Sequence, residues 1–236
     1  MLLGQAHRVA GVLMLLLVAA LVVALFTGET PNTDVDDFPS DFQKVVDDEA
    51  TYLLGQAMVF LTGIFVALLG TALYVLLRDR DRLLALMGLA GFLMMGVLFS
   101  MSAAAYVSVH SIANNLEAGD VFADEATVQE IGRTLVELGD GTFFLGITFF
   151  AIGLLAFGAI IALTRAGIGI APVAPPKWIG WIALTAGVLF LLGWLALAAE
   201  FLFVFVIIAF VLTLIWYLTF GVWLLRAPAE APTALP

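Results

Sequence analysis

The chain has 236 residues, 63% of them hydrophobic and 12% charged, with a formal net charge of −10 at neutral pH. That composition excludes an ordinary soluble domain, where charged residues run near a quarter, and its acidity speaks against nucleic acid as a partner. The lack of any Cys excludes disulfides, thiolate metal sites and cysteine nucleophiles.

A membrane-spanning helix needs about 20 mostly apolar residues. Six stretches qualify: 10–26, 52–77, 83–109, 142–164, 178–197 and 201–225. They predict an all-α fold, a polytopic transmembrane bundle of six helices with short outer helical extensions. Residues 1–226 are expected to form one membrane domain, with 227–236 as a disordered cytoplasmic tail rich in Ala and Pro.

The first span begins after His7 and Arg8. It resembles a signal peptide in its basic start and small residues, Ala19, Ala20 and Ala24. Its apolar run is longer than a typical signal core and no clean cleavage site precedes Thr27, so a retained helix is expected.

Residues 27–50 read as an acidic outer loop in which Ser40 and Gln43 resemble a capping box. The helix so started is expected to run into the second span. Arg78-Asp79-Arg80-Asp81-Arg82 forms a tight inner turn, an anchor beside anionic headgroups.

Residues 110–141 read as the second outer loop. Asp124 suits a helix cap, and Val128, Ile131 and Leu135 share a face, as in a helix lying at the interface. Gly139-Asp140-Gly141 is expected to break that helix and turn the chain into span four. The Pro- and Gly-rich inner loop 166–177 follows, and Ala198-Ala199-Glu200 leaves only a short turn between spans five and six.

Seven of the nine Lys and Arg fall on one side of this plan: Arg8, Arg78, Arg80, Arg82, Arg165, Lys177 and Arg226. The other side carries only Lys44 and Arg133 among sixteen of the nineteen acids. Short cytoplasmic loops retain Lys and Arg, so both termini are expected in the cytoplasm and the protein in the cell membrane. Trp178, Trp181 and Trp223 mark the inner interface and Trp194 the outer end of span five. Small residues form stripes: Gln56, Gly63 and Gly70; Gly96, Ser100 and Ala103; Gly146 and Gly153. Such stripes let helix backbones approach closely in lipid.

Several segments carry a family resemblance: Arg8-Val-Ala-Gly-Val-Leu-Met-Leu-Leu, Tyr74-Val-Leu-Leu-Arg-Asp-Arg, Phe143-Phe-Leu-Gly-Ile-Thr-Phe-Phe-Ala-Ile-Gly, Pro175-Pro-Lys-Trp-Ile-Gly-Trp and Trp223-Leu-Leu-Arg. Over about residues 7 to 226 the chain resembles a prokaryotic domain-of-unknown-function family of six-pass integral membrane proteins. The resemblance implies the six-helix plan and supplies no activity.

No ionisable residue lies deep in a span, so ion-coupled pumping lacks its usual signature. His7 and His110 fall on opposite faces of the plan, ~30 Å apart, too far to share a haem. No zinc-protease, Walker or nucleophile-elbow motif is present.

The remaining constellation is an outer-face polar cluster of Gln56, His110, Asn114, Asp140 and Glu200. A histidine with carboxylates suits a divalent cation or acid–base work, so His110, Asp140 and Glu200 are the metal candidates. The plainer reading is that interfacial residues are polar because water and headgroups are there. Asp140 and Glu200 then simply cap spans four and six.

No catalytic residue is assigned and no cofactor is predicted. The expected function is that of a non-catalytic membrane protein, an accessory subunit or one binding lipid or a small apolar ligand. One alternative is a small-solute transporter with a cavity lined by Gln56, Thr62, Ser100, Thr148 and Thr213. A second is a membrane-embedded, metal-dependent hydrolase with its site at the outer face.

Overall fold

The computed structural model describes residues 3–27, 31, 38–119, 124–163, 175–194 and 203–227. Among them the fold is all-helical, with no strand: α1 (Leu3–Thr27), α2 (Phe38–Asp47), α3 (Glu49–Leu77), α4 (Arg82–Glu117), α5 (Glu125–Leu163), α6 (Lys177–Gly193) and α7 (Phe203–Arg226). Five helices, α1, α3, α4, α5 and α7, are long and apolar enough to cross a membrane. α6 is apolar but shorter, and the predicted fifth span runs past its end into residues outside the described set. The Glu200 turn, most of the 166–177 loop and the tail from 228 also lie outside the described residues.

Leu68, Val97, Met101, Ile207 and Val211 are each about half exposed on these helices. Apolar side chains turned outward in such numbers suit a lipid bilayer.

The chain divides into two compact units. The first comprises Met1–Val18, Phe65–Gly96 and Ile147–Pro236. Its core is aromatic: Phe92 packs on Phe150 and Phe157, and Phe150 on Phe190 and Tyr217. Phe92 of α4 is seated on glycines of two neighbours. A Cβ added at Gly70 of α3 or Gly153 of α5 would come within 2.5 Å of it. One glycine from each of two predicted small-residue stripes therefore seats Phe92. α5 and α6 approach by backbone instead, since a Cβ on Gly180 would lie 2.4 Å from the Ala162 nitrogen.

The second unit comprises Ala19–Ile64 and Val97–Gly146. Its core gathers Phe38, Phe42 and Val45 of α2 with Tyr52, Tyr106, Val109, Ala113 and Val136. α2 is amphipathic because these three apolar residues recur at i, i+4 and i+7, while Asp41, Lys44 and Asp47 face elsewhere. It begins two residues before the predicted Ser40 start. Only Asp48 interrupts it from α3, and backbone bonds from Asp48 to Lys44 and from Tyr52 to Asp48, both 3.0 Å, bridge the step. The expected run from outer helix into span is nearly continuous.

Three readings of the segment 110–141 are corrected. α4 does not end near 109 but continues to Glu117, because Val109 and Ala113 bury their side chains in the second unit's core. It ends where Gly119 adopts φ 74°, the left-handed conformation of a helix terminus. α5 does not break at Gly139-Asp140-Gly141; it runs 39 residues, about 58 Å at 1.5 Å per residue. Gly139 is small because the Tyr106 ring lies against it, where a Cβ would meet the ring at 2.9 Å. The buried line of the N-terminal part of α5 is Val128, Gly132 and Val136, while Ile131 is 48% exposed. Gly132 receives Phe42, which turns that face inward. Asp124 does cap α5: the Thr127 amide donates to Oδ1 at 3.0 Å and the Thr127 hydroxyl to Oδ2 at 2.9 Å.

Candidate polar site in the second unit

α3 carries Glu49, Tyr52 and Gln56 at i, i+3 and i+7, one helical face. α4 carries Ser102, Tyr106, His110 and Asn114 four apart, a single stripe. α5 contributes Asp140.

His110 is 7% exposed. Its Nε2 lies 3.4 Å from a Glu49 carboxylate oxygen and 3.3 Å from the Asn114 amide nitrogen. The two partners ask opposite things of that nitrogen. With a proton on Nε2 the ring donates to Glu49; without one it accepts from Asn114. The ring also stacks on Tyr52, centroids 6.2 Å apart and planes 21° apart.

The tyrosines link the three helices. The Tyr52 hydroxyl donates to the backbone carbonyl of Tyr106 at 3.0 Å. The Tyr106 hydroxyl donates to the Asp140 carboxylate. Asp140 is therefore an internal acceptor within α5, not the cap of a span. Gln56 lies one turn along α3 from Tyr52 and is 2% exposed, with its Oε1 unpaired.

Of the five residues predicted from sequence, His110 and Asn114 are in contact, Asp140 joins through Tyr106, Gln56 lies one turn away, and Glu200 is outside the described residues. Among the described residues, no group of three or more His, Cys, Asp or Glu is placed to hold a metal. The predicted cavity-lining threonines of the first unit have protein partners: Thr213 donates to the Ala209 carbonyl, and Thr148 accepts from Trp194 Nε1.

Sequence reasoning missed Glu49, Tyr52 and Tyr106. Their signal was the i, i+3, i+7 spacing on α3 and the four-residue spacing on α4. It becomes visible only once both helices are extended beyond their apolar cores.

Tyr52 also lines a cleft of about 150 Å³ together with Thr27, Asp41, Lys44, Asp48 and Thr51. Lys44 is paired to Asp41 at 2.6 Å, and Asp48 supplies a second carboxylate. The cleft thus offers mainly acceptors and one aromatic wall. It is smaller than a drug-sized pocket, which runs to about 300 Å³ and more.

A family described as a domain of unknown function, DUF4386, matches residues 9–227. The chain belongs to that family. The match starts within α1 and ends just beyond α7, so every residue of the polar site lies inside the DUF4386 region. No curated protein and no solved structure matches the chain.

Proposed function

We propose that this DUF4386 protein is a six-pass plasma-membrane protein that binds a small amine- or hydroxyl-bearing ligand at its outer face, without catalysing a reaction. The six-span plan is supported by the five long apolar helices, by the apolar α6 and by the one-sided distribution of Lys and Arg. Both termini are then cytoplasmic.

The observation that carries the binding reading is the double role of Tyr52. One side chain lines the acceptor-rich cleft and stacks on a His110 held between Glu49 and Asn114. An ammonium or hydroxyl group in the cleft finds the Asp48 carboxylate, the Thr51 hydroxyl and an aromatic face. Ethanolamine has this chemistry, both as a free solute and as a phospholipid headgroup.

The test is thermal unfolding of purified protein with free ethanolamine, with phosphatidylethanolamine in mixed micelles, and with acetate. Saturable stabilisation by one of the two ethanolamine forms, lost in Asp48→Asn, is expected, and acetate is expected to do nothing. Stabilisation by neither form, or equal stabilisation of Asp48→Asn, overturns the reading. The form that binds tells solute from headgroup.

A further inference from the structure

The ladder of polar side chains in the second unit does not stop at the tyrosines. Gln56 and Ser102 are 2% and 0% exposed, and neither Gln56 Oε1 nor Ser102 Oγ has a hydrogen-bond partner. A buried polar atom left unpaired is costly, and native proteins commonly satisfy such atoms with an ordered water.

The two orphans are placed to share one. α3 and α4 run antiparallel in this unit, because Glu49 reaches His110 while Tyr52 bonds to Tyr106. Gln56 lies four residues beyond Tyr52 on α3, and Ser102 lies four residues before Tyr106 on α4. On antiparallel helices both steps go the same way, so the pair sits one turn further along the same two facing stripes.

Ser102 also differs from several other helical hydroxyls of the chain. Serine and threonine in helices readily bond back to the carbonyl four residues earlier. Thr71, Ser108, Thr134, Thr213 and Thr219 all do so, at 2.7–3.0 Å. Ser102 makes no such bond. Thr62 is likewise unpaired, but six residues from Gln56 it falls on another flank of α3.

We propose that Gln56 and Ser102 form a binding site for a buried water molecule. The water donates one hydrogen to Gln56 Oε1 and bonds Ser102 Oγ with its other hydrogen or a lone pair. This carries the polar path from Glu49 to Gln56, seven residues of α3 or about 10 Å of helix rise. The site does not depend on ethanolamine binding.

The experiment is water-edited solid-state NMR on isotope-labelled protein in bilayers, without added ligand. Transfer from water protons to the Gln56 and Ser102 side chains is expected to build up several-fold faster than to Phe99, a buried apolar neighbour in the same unit. Transfer no faster than to Phe99 overturns the proposal. In Ser102→Ala the fast transfer to Gln56 is expected to disappear while transfer to exposed Glu49 is unchanged. Persistence of fast transfer to Gln56 in a folded Ser102→Ala protein overturns the two-partner site. Should that variant not fold, the wild-type comparison with Phe99 decides alone.

Discussion

The Tyr106 hydroxyl on α4 donates to the Asp140 carboxylate on α5, between two glycines and within an unbroken helix. Hydrogen bonds to charged acceptors contribute about 1.5–3 kcal/mol, and a part-buried carboxylate that loses its donor is poorly solvated. Tyr106→Phe is therefore expected to destabilise the second unit by about 2 kcal/mol. Tyr106→Phe in an Asp140→Leu background should cost much less, because both partners are then gone. Chemical unfolding in detergent, arranged as a double-mutant cycle, measures the coupling; additive effects would rule out a stabilising bond.

The start of α5 should respond to acid. Thr127 donates from both its backbone amide and its hydroxyl to Asp124, and these bonds hold the Asp124 carboxyl below its ordinary value. A carboxylate depressed in the folded state stabilises above its unfolded pKa of about 4 and loses that contribution as pH falls through the folded value. Amide exchange at Thr127 and Val128 is expected to be slow at neutral pH and to gain an extra opening term below about pH 4. In Asp124→Asn, which still caps but does not titrate, that acid-dependent opening should vanish. Equal acid sensitivity in both proteins would remove Asp124 as its source.

How far the sequence could be read follows from what each residue signals. The candidate spans were legible because lipid demands long apolar runs, and α1, α3, α4, α5 and α7 supply them. The C-terminal end of α4 and the N-terminal part of α5 were not, because there the helices are held by side chains from other elements. Val109 and Ala113 look like the close of a span until Phe38 and Phe42 are seen packed in the same core. Gly139-Asp140-Gly141 carries every local mark of a turn. Yet Gly139 makes room for the Tyr106 ring and Asp140 accepts its hydroxyl, and both reasons lie on another helix. His110 and Asn114 were legible as polar residues at a span's end. Glu49, the partner of His110, read as one more acid in a loop, and Tyr52 as the first residue of an apolar run.

The proposed topology can be checked cleanly because the chain has no Cys of its own. Single cysteines at Asp79, in the exposed turn between α3 and α4, and at Ala126, in the exposed first turn of α5, report opposite faces. In intact cells a membrane-impermeant maleimide is expected to label Ala126→Cys and to spare Asp79→Cys until the membrane is opened. The reverse pattern would invert the protein. Labelling of both in intact cells would break the plan.

The contact between α5 and α6 gives the sharpest packing prediction. Gly158 and Gly180 face each other so closely that an added Cβ on Gly158 would lie 2.9 Å from the Gly180 carbonyl oxygen, and one on Gly180 2.4 Å from the Ala162 nitrogen. The obstacles are backbone atoms, which cannot rotate aside as a side chain tip can. Alanine ordinarily favours a helix over glycine by about 1 kcal/mol, so propensity alone predicts that Gly180→Ala stabilises α6. Overpacking against a rigid wall costs about 1–3 kcal/mol and opposes that gain. With contacts this short the steric term is expected to win, leaving Gly180→Ala less stable than wild type. Gly141→Ala, where nothing lies within 4 Å of an added Cβ, should show the propensity gain undisguised. Unfolding of the two variants side by side separates the terms. A Gly180→Ala protein as stable as Gly141→Ala would mean that α6 does not hold this close contact with α5.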